Sequence, residues 1–211
     1  MPDWENAFAT CPLVAILRGL RPDEAVAQGG ALAGAGFALI EVPLNSPEPL
    51  DSIARLAAAL PGAVIGAGTV LAAADVAAVH AAGGRLIIAP NFDPAVASEA
   101  TRLGLIYLPG IATPSEAFAA LNAGAAALKL FPAEMIPPAA VRAMRSVLPR
   151  AAKLLPVGGI NPQTMAAYAQ AGADGFGLGQ SLYRPGQAAG DTAAKAAAFV
   201  QAWRALPQAR S

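Results

Sequence analysis

The chain of 211 residues contains one cysteine, one histidine and few charges. With Cys11 alone, neither an intrachain disulfide nor a multi-cysteine metal cage can form, and a reducing cytoplasm is the expected setting. Cys11 reads as a small buried thiol. A catalytic cysteine would want a histidine, and His80 lies in an alanine-rich helical stretch where a surface or packing role suits it. The same scarcity excludes a His/Cys zinc site, and a magnesium site would need at least two convergent carboxylates. No metal and no cofactor is expected. Charged residues are 13% of the chain, fourteen basic against fourteen acidic, so no net field favours nucleic acid or an anionic membrane. No apolar run reaches the ~18 residues of a membrane span. The segment Met1-Pro2-Asp3-Trp4-Glu5-Asn6 lacks the basic start and apolar core of a signal peptide.

What is abundant is apolar: 55% of the residues are hydrophobic, enough for a large core. Short apolar runs recur at Leu13–Leu17, Ala38–Val42, Ala63–Ala67, Leu86–Ala89, Leu105–Leu108, Ala126–Leu130, Leu154–Val157 and Asp174–Leu178. Most are continuous rather than alternating, as suits parallel strands covered on both faces. Alanine-rich helical stretches lie between them. Helix starts are predicted at Pro22-Asp23-Glu24, at Ser46-Pro47-Glu48 with Ser46 as N-cap, at Thr113-Pro114-Ser115-Glu116 with a capping box, and at Asn161-Pro162. Helix ends are predicted at Ala35-Gly36, Gly83-Gly84, Ala123-Gly124 and Ala171-Gly172. Eight strand–helix units predict an α/β fold, a (β/α)8 TIM barrel in a single domain over 1–211. Residues 1–10 are expected to form a short helix at the barrel bottom. A doubly wound sheet is the alternative, but no Gly-x-Gly-x-x-Gly follows the first run.

In such a barrel, chemistry collects at the C-terminal ends of the strands. Arg18 follows the first run, Glu41 ends the second, Thr69 follows the third, Pro90 the fourth, and Lys129 closes the sixth. Lys129 should share an inward face with Ala127 and Ala125, while Leu128 and Leu130 face outward. A buried ammonium is costly unless paired or used. Desolvation favours the neutral amine, which attacks carbonyls. The structural readings are a lysine snorkelling to water and a Glu41 that pairs with Arg18 or Lys129. After the last two runs come Val157-Gly158-Gly159-Ile160 and Gly177-Leu178-Gly179-Gln180-Ser181. Glycines there let backbone N–H groups approach an anion, and a short helix starting near Gly179–Ser181 would add its positive end. The plainer reading is a pair of tight turns.

Taken in order, Val14-Ala15-Ile16-Leu17-Arg18-Gly19, Ile40-Glu41-Val42-Pro43-Leu44-Asn45-Ser46-Pro47, Gly66-Ala67-Gly68-Thr69-Val70-Leu71, Pro90-Asn91, Leu128-Lys129-Leu130-Phe131-Pro132 and Val157-Gly158-Gly159-Ile160 resemble the KDPG/KHG aldolase family. The resemblance runs from about residue 12 to 205. It implies a class I aldolase with Lys129 as Schiff-base nucleophile and Glu41 as acid–base. It implies Arg18, Thr69, Pro90, Phe131 and Val157 around the substrate, and Gly158, Gly159, Gly179 and Ser181 at its phosphate. It also implies a phosphorylated sugar acid as substrate and a homotrimer. Pro43, Asn45 and Val157 resemble the branch acting on the phosphogalactonate epimer; the phosphogluconate branch commonly has Thr and Arg near the first two and threonine at the third. Gln180 departs from the small residue often found there. Two other classes stay open: a phosphosugar isomerase or epimerase using Glu41 without a covalent lysine, and a non-catalytic phosphosugar-binding barrel.

Overall fold

In the computed structural model, which describes residues 4–206, helices and strands alternate along the chain. The order is α1 (Trp4–Thr10), β1 (Leu13–Ile16), α2 (Pro22–Gly34), β2 (Leu39–Pro43), α3 (Pro49–Ala59), β3 (Val64–Gly68), α4 (Ala73–Ala81), β4 (Leu86–Ile88), α5 (Pro94–Arg102) and β5 (Ile106–Leu108). It continues with β6 (Gly110–Ile111), α6 (Pro114–Asn122), β7 (Leu128–Leu130), a 3-10 turn (Ala133–Met135), α7 (Pro138–Arg145), β8 (Leu154–Pro156), α8 (Met165–Gln170), β9 (Phe176–Leu178) and α9 (Ala189–Arg204). The expected N-terminal helix is seen over residues 4–10; residues 1–3 lie outside the described part.

Every strand pairing is parallel, and each predicted run contains a strand. The ladders draw two sheets, β5-β4-β3-β2-β1-β9 and β6-β7-β8, rather than one closed ring of eight strands. The fold is thus parallel α/β, and the closed (β/α)8 barrel is met only in part. One seam falls at Pro109, which has no N–H to give a ladder; it follows the fifth run and separates β5 from β6, a two-residue strand beyond that run. Contacts across it persist: Ala126 N–H donates to Tyr107 O at 2.9 Å and Lys129 N–H to Pro109 O at 2.9 Å. At the other seam, Val157 and Gly177 form an isolated parallel bridge.

Side-chain alternation sorts the core into layers. Val14, Leu39, Val64, Leu86, Ile88, Leu108, Ala127 and Leu155 form an inner cluster together with Trp4, Ala7 and Phe8 of α1. Because Leu39, Val64 and Leu86 open their strands, α1 covers the N-terminal end of the sheets. Lys153, just before β8, pairs with Glu5 at 3.0 Å and lies 5.5 Å from the Phe8 ring centroid. Leu128 and Leu130 belong to an outer cluster with Val141 and Met144 of α7. Ala127 faces inward as predicted. Ala125 instead packs outward, since it precedes β7 and escapes its alternation.

Local signals mostly act where the sequence put them. Thr113 and Glu116 form the reciprocal capping box of α6. Asn161 Oδ1 accepts from the N–H groups of Gln163 and Thr164, both at 3.0 Å, on the turn that leads into α8. Gly36, Gly83, Gly124 and Gly172 all follow helix ends with positive φ. Two starts differ: α8 begins at Met165, after the Asn161 turn, rather than at Pro162, and Ser46 caps no helix. Helix α3 starts at Pro49, not Pro47, because a residue preceding proline disfavours helical geometry and Glu48 precedes Pro49. Ser46 Oγ instead accepts the Gly19 N–H at 2.9 Å, tying the loops after β1 and β2.

Phe8→Ala is expected to cost about 3 kcal/mol by opening a cavity against the inner cluster. Denaturant unfolding measures that loss. Any chemistry at the far end should survive in the folded fraction; a loss well under 1 kcal/mol would mean α1 is not part of the core.

Candidate active site

Two ionisable side chains point into the inner cluster at the C-terminal ends of the strands. Glu41, in the middle of β2, is 1% exposed, and Lys129, in the middle of β7, is 7% exposed. Both line one small cavity with Val14, Ile16, Ile88, Leu108, Leu155, Val157 and Gly177. Apart from the two charged groups, that lining is entirely apolar. Among the described residues Lys129 and Glu41 make no ion pair with each other, and Glu41 Oε2 accepts no hydrogen bond. The Lys129 Nζ sits 4.8 Å from the centroid of the Phe131 ring, a cation–π contact while the amine is protonated.

Burial dominates both ionisations. It pushes the Glu41 carboxyl up to about 7, against the pull of Lys129 and Arg18. It holds the Lys129 ammonium below the usual lysine range; Glu41 opposes that shift and Arg18 adds to it. A carboxyl poised near neutrality suits proton transfer, and a lysine biased toward its free amine suits attack on a carbonyl.

Space for the carboxylate comes from Gly68. A Cβ there would lie 1.7 Å from Glu41 Oε2, so only glycine admits this rotamer. Arg18, after β1, donates from Nη1 to Asn45 Oδ1 at 2.6 Å, joining the first two loops. The next residue after Gly68 is Thr69, held at a left-handed φ of 57°, a strained conformation for a β-branched side chain.

Beside the cavity lies a cleft of about 590 Å³, within the range of small-ligand sites. Arg18, Phe131, Glu134, Val157, Gly158, Gly159, Gly179, Ser181, Tyr183 and Arg184 are among its walls. Gly158 and Gly159 have φ of 118° and 61°, and a Cβ on Gly158 would meet Glu134 Oε2 at 2.3 Å. The amides of Gly159 and Ile160, and of Gly179, Gln180 and Ser181, donate to no described protein acceptor. Two turns therefore offer free N–H groups to one cleft, an arrangement that suits an anion. The predicted helix at Gly179–Ser181 is only a single turn, in which Gly179 O accepts from Leu182 and Tyr183. Ser181 Oγ donates to Ile160 O at 2.7 Å and so fastens one turn to the other.

Of the residues singled out in the sequence, Lys129, Glu41 and Val157 meet in the cavity. Arg18, Phe131, Val157, Gly158, Gly159, Gly179 and Ser181 meet in the cleft. Thr69 and Pro90 follow their strands at the same end but line neither space. Sequence reasoning missed Gly68, Glu134 and Tyr183. Gly68 was recoverable, because it lies four residues from Val64 on the inward face of a strand. No sequence signal marks the approach of Glu134 to the glycine pair. No group of three His, Cys, Asp or Glu side chains among the described residues could hold a metal ion, and no described helix is long and apolar enough to cross a membrane.

The family model for KDPG and KHG aldolase matches residues 4–193. A probable 2-dehydro-3-deoxy-6-phosphogalactonate aldolase of Rhizobium meliloti strain 1021 is 47% identical over 196 residues, covering 92% of both chains. The 2-dehydro-3-deoxy-6-phosphogalactonate aldolase of Escherichia coli K12 is 46% identical over 198 residues, 93% of this chain and 97% of its own. A solved native KDPGal structure superposes with a TM-score of 0.90 at 47% identity, covering 92% of this chain and 94% of that one.

The raised ionisation of Glu41 carries a stability consequence. Between about pH 4.5 and 7 the folded state holds a proton that the unfolded chain has released, so stability falls as pH rises through that window. Glu41→Gln removes this slope. The variant is expected to gain on wild type by on the order of 2 kcal/mol between pH 5 and pH 8, measured by denaturant unfolding at both pH values. An equal difference at the two pH values would contradict the raised ionisation.

Proposed function

The chain belongs to the KDPG and KHG aldolase family, and from that membership we infer that it cleaves 2-dehydro-3-deoxy-6-phosphogalactonate to pyruvate and D-glyceraldehyde 3-phosphate. One observation supports the chemistry above all others. A buried lysine and a buried carboxyl, from separate strands, share an apolar cavity without pairing. The Lys129 amine adds to the C2 ketone, and loss of water gives an iminium. Glu41, ionised, takes the C4 hydroxyl proton, directly or through a water. The C3–C4 bond breaks, and its electron pair flows into the iminium to leave an enamine and the aldehyde. Glu41 returns the proton to C3, and hydrolysis of the resulting iminium releases pyruvate and the free lysine. Each proton removed is restored, and no external oxidant or reductant is needed. General acid–base help of this kind is typically worth ~10²–10⁴ in rate.

The remaining residues divide along the substrate. Arg18 and Phe131, together with Thr69 and Pro90 at the same rim, serve the pyruvyl end. The free amides of Gly159, Gly179 and Ser181, with Gly158 shaping the turn, hold the phosphate. Val157 lines both spaces and faces the C4 region. A valine there cannot hydrogen-bond a C4 hydroxyl, which removes a reason to prefer the gluconate epimer.

The wider architecture is read in the same way. The hydrogen bonds across Pro109 and the Val157–Gly177 bridge support one closed eight-stranded (β/α)8 barrel in a single domain, with the fifth strand split at Pro109. A homotrimer in the cytoplasm fits the family, and exposed apolar side chains such as Leu50, Leu71 and Phe118 are surface that association would cover.

Borohydride reduction in the presence of pyruvate should add stable mass at Lys129, and Lys129→Ala should retain no more than a few per cent of activity. Lack of an adduct, read by peptide mass spectrometry, would sink the Schiff-base reading. The galactonate epimer should turn over faster than the gluconate epimer in a coupled pyruvate assay. Val157→Thr should shift that ratio toward the gluconate epimer by about fivefold, the worth of one net hydrogen bond of ~1 kcal/mol. An unmoved ratio would remove Val157 from epimer choice.

A further inference from the structure

Behind the turn at Gly179 lies a polar network that the chemistry above does not use. Its hub is Gln187. The Gln187 Nε2 donates to Leu182 O at 3.0 Å and to Thr192 Oγ1 at 2.7 Å. The Gln187 Oε1 accepts from Lys195 Nζ. On its main chain, Gln187 O accepts from Gln28 Nε2 at 2.5 Å, and Gln187 N–H donates to Arg184 O at 3.0 Å. Thr192 and Lys195 belong to α9 and Gln28 to α2. Tyr183 reaches Glu24, also on α2, at 3.4 Å. Leu182, Tyr183, Thr192 and Gln28 are all buried.

These bonds converge on a segment that has no regular structure of its own between β9 and α9. Leu182 and Tyr183 are also the residues whose N–H groups close the turn onto Gly179 O. Holding Leu182 from its carbonyl side therefore fixes the turn that exposes the amides of Gly179, Gln180 and Ser181. Three amides can converge on one anion only if the backbone between them is held still. Gln187 itself does not line the cleft.

We propose that Gln187, seated on Thr192 and Lys195, is a positioning residue for the substrate phosphate, acting through Leu182 on the Gly179–Ser181 turn. The proposal rests on the aldolase reading above for the identity of the anion. It deepens that reading by locating what keeps the phosphate turn in shape in helices α2 and α9, outside the site.

The test uses Gln187→Met, which keeps bulk and loses both side-chain donors, and Thr192→Val with Thr192→Ser as its conservative partner. Loss of one such bond, roughly 1.4 kcal/mol, corresponds to about tenfold. Gln187→Met and Thr192→Val should raise KM for the phosphorylated substrate, and the inhibition constant of inorganic phosphate, by about tenfold, with kcat within threefold of wild type. Thr192→Ser should restore both. The pyruvate–borohydride adduct at Lys129 should form to wild-type extent in every variant, since pyruvate carries no phosphate. Unchanged KM and phosphate inhibition in a folded variant would overturn the proposal, as would a fall in kcat with KM unmoved. If Gln187→Met does not fold, Thr192→Val decides by the same readouts. Absence of the adduct in wild type would instead overturn the aldolase reading, and phosphate inhibition across the variants would still judge the positioning claim.

Discussion

Desolvation of two opposite charges in an apolar chamber is the constraint on which the rest of this structure depends. Lys129 and Glu41 enter a space otherwise walled by aliphatic side chains. Direct pairing would lower the cost of burial, yet would leave an amine locked as ammonium and a carboxyl locked as carboxylate. The fold keeps them in one cavity but out of contact, so each retains a shifted ionisation and neither is neutralised by the other. That arrangement is destabilising relative to an all-apolar interior. The opposing contribution comes from the layers below, where α1 caps the strand starts with Trp4 and Phe8 against a cluster of aliphatic side chains.

The two ends of the sheets therefore serve different ends. At the N-terminal side, packing is continuous and charge stays outside, as with Lys153 and Glu5. At the C-terminal side, loops are fastened to one another by single polar bonds. Arg18 meets Asn45, Gly19 meets Ser46, Ala133 N–H donates to Val157 O at 2.9 Å, and Ser181 meets Ile160. Each bond links a loop to one from another strand. A rim stitched in this way holds reactive groups from several strands without a layer of regular structure above them.

Much of this was legible because it depends on local rules. Lys129 could be placed inward, between outward Leu128 and Leu130, from strand alternation alone, and the Thr113–Glu116 cap follows from spacing. What escaped depends on competition or on distance in the chain. Ser46 has cap chemistry, but the proline after Glu48 moved the helix start and a remote Gly19 N–H took its hydroxyl. The fifth apolar run gave no warning that a short strand would follow Pro109 and pair in the other sheet. The Gly179 segment carries glycines that fit a helix start, yet Pro185 has no N–H to continue it and Leu182 O accepts from Gln187 instead, so it ends after one turn. Gly68 was visible as a glycine in a strand. Its purpose needed the position of Glu41, a contact between neighbouring strands that no single segment contains.

The seam between the two sheets runs through the site rather than beside it. Val157 and Gly177 form the bridge there, and both line the cavity and the cleft together. A Cβ on Gly177 would come within 2.6 Å of Val157 Cγ2, so the glycine lets the valine side chain lie over the strand. Any ligand reaching from the lysine to the free amides must cross this pair. The side chain at 157 thus lines the cavity of Lys129 while its own carbonyl anchors Ala133 and its next two residues line the cleft. On the proposed reading, stereochemical choice and phosphate grip are joined through three consecutive residues of one backbone. A change that tilts Val157 moves both, whereas a change of its side-chain chemistry that preserves shape moves only the first.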